Sequence, residues 1–108
     1  MDDVQFIGLR QLDEIQQQEV RGLVGEYFKK IQRKLKDAEL VVHVKLYSKG
    51  GKPKYAIHVK AISGKILFES SHAHDYDLAK SFHMAFNEVL KQILHSYRDD
   101  VTRKKPYS

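Results

Sequence analysis

Residues 40–60 read LVVHVKLYSKGGKPKYAIHVK, and the order of apolar and polar residues in this stretch indicates its structure. In its first half every second residue, counted from residue 40, is Leu or Val, which is the period of a strand with one apolar face. The second half repeats the alternation with Tyr55, Ile57 and Val59, and the glycines and proline between the halves indicate a turn. The stretch therefore predicts a β-hairpin. Its mixed face would carry His43, Lys45, Tyr47, Lys54, His58 and Lys60.

Further elements flank this hairpin on both sides. Residues 4–9 and residues 65–71 are β-prone runs and predict one strand each. Two other segments place apolar residues at steps of three and four, which is the spacing of amphipathic helices. Asp13 is the expected N-cap of the first helix, and Asp75 or Asp77 that of the second. The apolar stripes are Val20, Leu23, Val24, Tyr27, Phe28, Ile31 and Leu35, and then Leu78, Phe82, Ala85, Phe86, Val89, Leu90, Ile93, Leu94 and Tyr97.

The element order β-α-β-β-β-α predicts an α+β fold. Each helix has one apolar stripe and the central strands have one apolar face, so the economical arrangement is a two-layer sandwich. Both helices would pack on one face of a four-stranded sheet, and the other face would stay open. The length of 108 residues fits one domain, predicted to span residues 1–97. Residues 98–108 lack an apolar period and are expected to form a flexible basic tail.

Composition and motifs exclude several functional classes. The chain has no cysteine, which excludes a disulfide scaffold and a thiol nucleophile. No apolar run approaches the ~20 residues of a membrane span, and the acidic N-terminus lacks a signal-peptide core, so a cytoplasmic protein is expected. Phosphate-loop, dinucleotide and serine-hydrolase motifs are also missing, which predicts no enzymatic activity, no cofactor and no small-molecule substrate. His72 and His74 lack the further ligands of a zinc site, so no metal site is predicted.

The positive charge is concentrated in the middle of the chain. Residues 20–60 contain eleven Lys or Arg against three acids, whereas residues 1–19 contain one against five. Residues 61–108 are close to balance, with seven against six. A concentration of positive charge favours a polyanionic partner, either nucleic acid or an acidic membrane surface.

Three features together resemble a known family. The first is a short strand that ends in glycine, at residues 4–8. The second is a helix with Arg21, Val24, Phe28, Lys30, Ile31 and Arg33. The third is a last helix with Asp77, Phe82, Phe86 and Val89, followed by Lys91-Gln92-Ile93. With these features the chain resembles, over residues 4–97, the ribosome hibernation promoting factors, also called ribosome-associated inhibitors or sigma-54 modulation proteins. Glu88 departs from the pattern, because the family has a basic residue there.

The resemblance implies a short-form member, monomeric or weakly dimeric, that binds the small ribosomal subunit and its rRNA. Such a protein would block mRNA and tRNA in the decoding region, as a hibernation-type response to stress. Two alternatives stay open: a double-stranded RNA-binding module, and a protein-interaction domain that uses the open sheet face. Charge and resemblance together give the candidate RNA-binding residues Arg21, Lys29, Lys30, Arg33, Lys34, Lys45, Lys54, Lys60 and Lys91.

Overall fold

The structure, a computed structural model, describes the backbone of residues 3–104 and the side chains of residues 3–96 except Lys49. It has the predicted α+β architecture, with a helix layer on one face of the sheet. Within the described residues, no helix is both long and apolar enough to cross a bilayer. The elements are β1 (Val4–Ile7), a 3-10 turn (Leu9–Gln11), α1 (Glu14–Lys34), β2 (Glu39–Lys49), β3 (Lys52–Ser63), β4 (Ile66–Glu69), β5 (Ala73–Asp75) and α2 (Leu78–Lys104).

The sheet is mixed, with strand order β1-β2-β3-β4. β1 runs parallel to β2, and β2 pairs with β3 in the predicted antiparallel hairpin, where Val42 lies opposite Val59. One strand was not predicted: β5 pairs with β3 on the same edge as β4, with His74 opposite Ala56. A break at Ser70 separates β4 from β5. There the Val59 N–H donates to Ser70 Oγ at 2.9 Å, and the Ser70 N–H donates to the Val59 carbonyl at 2.9 Å.

The core lies between the helices and the apolar face of the hairpin. Burial on the two helices follows the predicted stripes except at Leu94, which is 42% exposed, and Tyr97 lies outside the described side chains. The Phe86 ring is fully buried and stacks in parallel on Tyr27, with ring centroids 4.7 Å apart. The completely buried side chains include Val20, Ile31, Val42, Ile57, Val59, Phe82, Phe86 and Val89.

The N-cap residue of each helix is one that the sequence predicts. Asp13 forms a capping box with Gln16: the Gln16 N–H donates to Asp13 Oδ1 at 2.7 Å, and the Gln16 side chain accepts from the Asp13 N–H. Of the two candidates for α2, Asp77 is the cap, because its Oδ1 accepts the Lys80 N–H at 3.1 Å. Asp75 supports the same turn by accepting the Asp77 N–H at 2.8 Å.

The second helix continues beyond its predicted end. Its backbone is helical to Lys104, whereas the apolar stripe predicts an end near residue 97. The predicted end of α2 was too early because an apolar stripe indicates only which turns of a helix are buried against the sheet. A helix can continue through turns that are not buried. The flexible tail at residues 98–108 stays a prediction, and residues 105–108 lie outside the described residues.

The turn after β1 depends on one glycine. Gly8 has φ 85°, and a Cβ at this position would lie 2.1 Å from the Val44 carbonyl oxygen, so no other residue fits without a backbone shift. The Gln11 side chain then completes the edge of β2, since it donates to the Val44 carbonyl at 2.9 Å and accepts from the Leu46 N–H at 3.1 Å. The long connection from β1 to α1 thus protects a sheet edge.

Candidate nucleic-acid interface

The first basic surface lies where the C-terminal end of α1 meets the middle of α2. A groove of about 390 Å³ has an apolar floor and a rim of cations, and we call it the helix-end groove. Lys30 extends over the Tyr27 ring, with Nζ 5.2 Å from the ring centroid. No acidic side chain among the described residues forms an ion pair with Lys30 or Arg33, so their charges face solvent. The groove is lined by Lys30, Arg33, Lys34, Leu90, Ile93 and Leu94.

The second basic surface is the open face of the sheet, on the side opposite the helices. Strand alternation places Lys45, Lys54 and Lys60 there, because their strand neighbours point into the core. Two lysines pair with exposed aromatic rings. The Lys45 Nζ lies 5.7 Å from the Tyr47 ring centroid, and the Lys54 Nζ lies 5.7 Å from that of Tyr76. The rings are 42% and 62% exposed, so they are available for stacking.

Four histidines lie together on this open face, and we call them the histidine cluster: His43, His58, His72 and His74. The ring centroids of His43 and His58 are 5.8 Å apart, those of His58 and His72 are 4.5 Å apart, and those of His72 and His74 are 6.4 Å apart. A concavity of about 290 Å³ opens beside the first three of these rings and Lys45. In the part of the chain that the structure describes, no three His, Asp or Glu side chains are arranged to hold a metal ion.

The surroundings of His43 lower the pKa of its imidazole. Partial burial is the largest cause that lowers the pKa of His43 below the ordinary imidazole value. The nearby charges of His58, Lys60 and His72 lower that pKa further. Glu69 on β4 offsets part of this charge, because its Oε1 lies 2.8 Å from Nε2 of His58. Protonation of His43 on the open face is therefore opposed unless a negative charge lies beside it.

The nine predicted RNA-binding residues do not form one surface. Lys30, Arg33 and Lys34 line the helix-end groove, and Lys45, Lys54 and Lys60 lie on the open face. The other three lie outside both surfaces. The Arg21 guanidinium is stacked over the Phe6 ring with Cζ 5.4 Å from its centroid, Lys91 lies beside Phe68 and His95, and Lys29 is an exposed residue of α1.

Two features of these surfaces were missed in the sequence. His72 and His74 join the open face through β5, and the alternation of polar His72, apolar Ala73 and polar His74 was the available signal. Leu90 and Leu94 form part of the helix-end groove, although both were assigned to the core stripe.

The departure at Glu88 has a structural explanation. Its carboxylate accepts the Ser71 N–H at 3.1 Å and the Ser71 hydroxyl at 2.8 Å. One turn later, Gln92 accepts the Glu69 N–H at 3.1 Å and donates to the Glu69 carbonyl at 2.7 Å. This side of α2 therefore holds the break between β4 and β5, which explains an acid at a position where the family pattern has a base.

Known proteins resemble this chain in fold more than in sequence. The sequence matches no protein-family model and no curated protein. Its structure is similar to the crystal structure of the N-terminal domain of Protein Y from Thermus thermophilus. The two share 22% sequence identity with a TM-score of 0.50, and the match covers 83% of this chain and 90% of that one. This likeness supports the fold.

Proposed function

We propose that this chain is a ribosome-associated, RNA-binding protein that binds the small ribosomal subunit and inhibits translation by occupancy, without a chemical step. Two arguments support the proposal. Residues 4–97 resemble the hibernation factors in element order, spacing and charge. The fold is similar to that of the Protein Y domain, which agrees with the α+β fold that this resemblance implies.

The helix-end groove is the observation that carries the proposal. Three cations surround an apolar floor, and ion pairs with described acids do not neutralise Lys30 or Arg33. Lysine and arginine supply the phosphate contacts that dominate affinity for nucleic acids. The exposed part of Leu94 offers apolar contact to a base or ribose between those phosphates. The groove thus fits the backbone of an RNA strand, and the residues we assign to it are Lys30, Arg33 and Lys34.

The two alternative functions have less support. A double-stranded RNA-binding module shares the β-β-β-α run, but here a first strand precedes α1 and pairs in parallel with β2. The start of α2 also has no compact basic cluster, since Lys80 lies 3.6 Å from Asp75 in an ion pair. A protein-interaction domain would need a large apolar patch on the open face, where Ile7 and Leu67 are exposed but lie on different strands, in a face that also carries the lysines and histidines.

Binding to purified small subunits should depend strongly on salt. If three cations contact phosphates, counterion release makes the affinity fall about tenfold or more between about 50 mM and about 200 mM salt. Co-pelleting of the protein with small subunits across this range measures the effect, and large subunits treated in parallel serve as the control. An affinity that does not change with salt would contradict the electrostatic contact that we assign to the helix-end groove.

A further inference from the structure

We propose that the open face of the sheet is a second RNA-binding surface, where His43, His58 and His72 hold a phosphate of single-stranded RNA, more tightly in acidic than in neutral solution. The proposal rests on the proposed function in taking RNA as the ligand. It adds a second binding site, a preference for single-stranded RNA and a dependence of the affinity on pH. RNA binding at the helix-end groove requires none of these.

The geometry provides a place for a phosphate. The concavity of about 290 Å³ is bordered by the rings of His43, His58 and His72 and by the Lys45 side chain, and Ile7, Gly8, Gln11, Val44 and Ala56 complete its lining. Imidazole N–H groups and an ammonium group all donate hydrogen bonds, and protonated imidazoles donate from both ring nitrogens. Charge-assisted hydrogen bonds to a phosphate are about twice as strong as neutral ones. The four side chains therefore suit a small anionic group better than an apolar ligand.

The charges around the concavity favour an anion. β1 contributes only the uncharged Gln5 and Ile7 to this face. The charged and titratable groups are Glu39, His43, Lys45 and Tyr47 on β2, Lys52, Lys54, His58 and Lys60 on β3, and Glu69, His72 and His74 on or beside β4 and β5. The Glu69 carboxylate contacts the His58 ring. Glu39 lies opposite Ile62, away from the paired His43 and His58. Among the described side chains, four lysines against two glutamates thus give the face a net positive charge even with neutral histidines.

The exposed aromatic rings indicate that the bound RNA is single-stranded. Tyr47 stacks on His74 with ring centroids 6.4 Å apart and remains 42% exposed. Tyr76, at the edge of the same face, is 62% exposed and lies under Lys54. Bases stack on such rings only when they are free of a duplex, which is the usual mode of single-stranded RNA recognition. One RNA strand that crosses the sheet could therefore place a phosphate at the histidines and stack its bases on these rings.

The direction of the pH effect follows from proton uptake. In the free protein, burial and neighbouring positive charges oppose protonation of His43. A bound phosphate supplies the missing negative charge, so the complex binds more protons than the free protein. By linkage, the affinity must then rise as the pH falls through the range in which imidazoles titrate.

Fluorescence anisotropy with a short single-stranded oligouridylate, labelled with a dye that does not titrate, tests the proposal at constant ionic strength. The affinity should increase about tenfold or more from about pH 7.5 to about pH 5.5, since one proton taken up gives up to about tenfold per pH unit. In the variant His43→Gln with His58→Gln and His72→Gln, the ratio should fall to about threefold or less, because the three histidines that border the concavity are gone. His95→Gln, an exposed histidine of α2, should keep the wild-type ratio.

Several results would overturn the proposal. One is a triple variant that is folded by circular dichroism and keeps the wild-type pH ratio. Equal affinity for a duplex of the same length would contradict stacking on the tyrosines, and an oligoglutamate that binds as well would show a general polyanion surface. Loss of binding on addition of EDTA would show a metal bridge. If the protein does not pellet with ribosomes but its affinity for oligouridylate depends on pH as expected, the proposed function is overturned and the second RNA-binding surface is not.

Discussion

Phe86→Ala is expected to lower the free energy of unfolding by about 3–5 kcal/mol. The ring is completely buried and stacks on Tyr27 with an interplanar angle of 5°, so its removal leaves a cavity between the two helices. A small domain has a total stability of about 5–15 kcal/mol, so this loss would remove much of it. Phe28→Ala, on the facing side of α1 and only 4% exposed, should have a similar effect.

Urea unfolding followed by circular dichroism measures this loss, and Met84→Ala is the matched control. Met84 lies on the same helix as Phe86 but is 44% exposed, so its truncation should change stability by no more than about 0.5 kcal/mol. If the midpoints of Phe86→Ala and Phe28→Ala stay within the range of the control, the inner faces of the helices are assigned wrongly.

The second large effect concerns RNA binding. Lys30→Glu combined with Arg33→Glu should weaken binding to small subunits by about tenfold or more, because each reversal replaces attraction to a phosphate with repulsion. Both residues are exposed on the rim of the helix-end groove. The fold should therefore stay nearly unchanged, which circular dichroism can verify before the pelleting assay.

Lys80→Glu combined with Lys91→Glu is the control for this variant, because both double variants reduce the formal net charge from +5 to +1. Lys80 already forms an ion pair with Asp75, and Lys91 lies on the β4 side of α2, away from the groove. A smaller loss of binding in the control would show that position, and not net charge, decides the contact. An equal or larger loss would assign the contact to α2 and contradict our site, even if the function is correct.

The sequence predicts elements well where the decisive signal is local. The hairpin follows from alternation on both sides of a glycine turn, and α1 follows from its stripe and the cap at Asp13. β5 escapes prediction because it has only three residues and follows a break at Ser70. A signal of that length is too short to separate a strand from a loop.

The candidate site was harder to predict than the fold, since a charge count along the chain ignores which side of the sheet a residue faces. Residues 20–60 include both Lys30 on the helix layer and Lys60 on the open face, so one basic stretch supplies two surfaces. The role of Glu88 was also hidden, because its partner Ser71 is brought near only by the packing of α2 on the sheet.

Sedimentation of a lysate of the source organism through a sucrose gradient at low salt tests ribosome association most directly. We expect this protein to migrate with the small-subunit and whole-ribosome fractions, and to move to the top of the gradient when the salt concentration is raised. Lys30→Glu with Arg33→Glu, expressed at the wild-type level, should stay at the top at low salt. A wild-type protein found entirely at the top under low salt would contradict the proposed function.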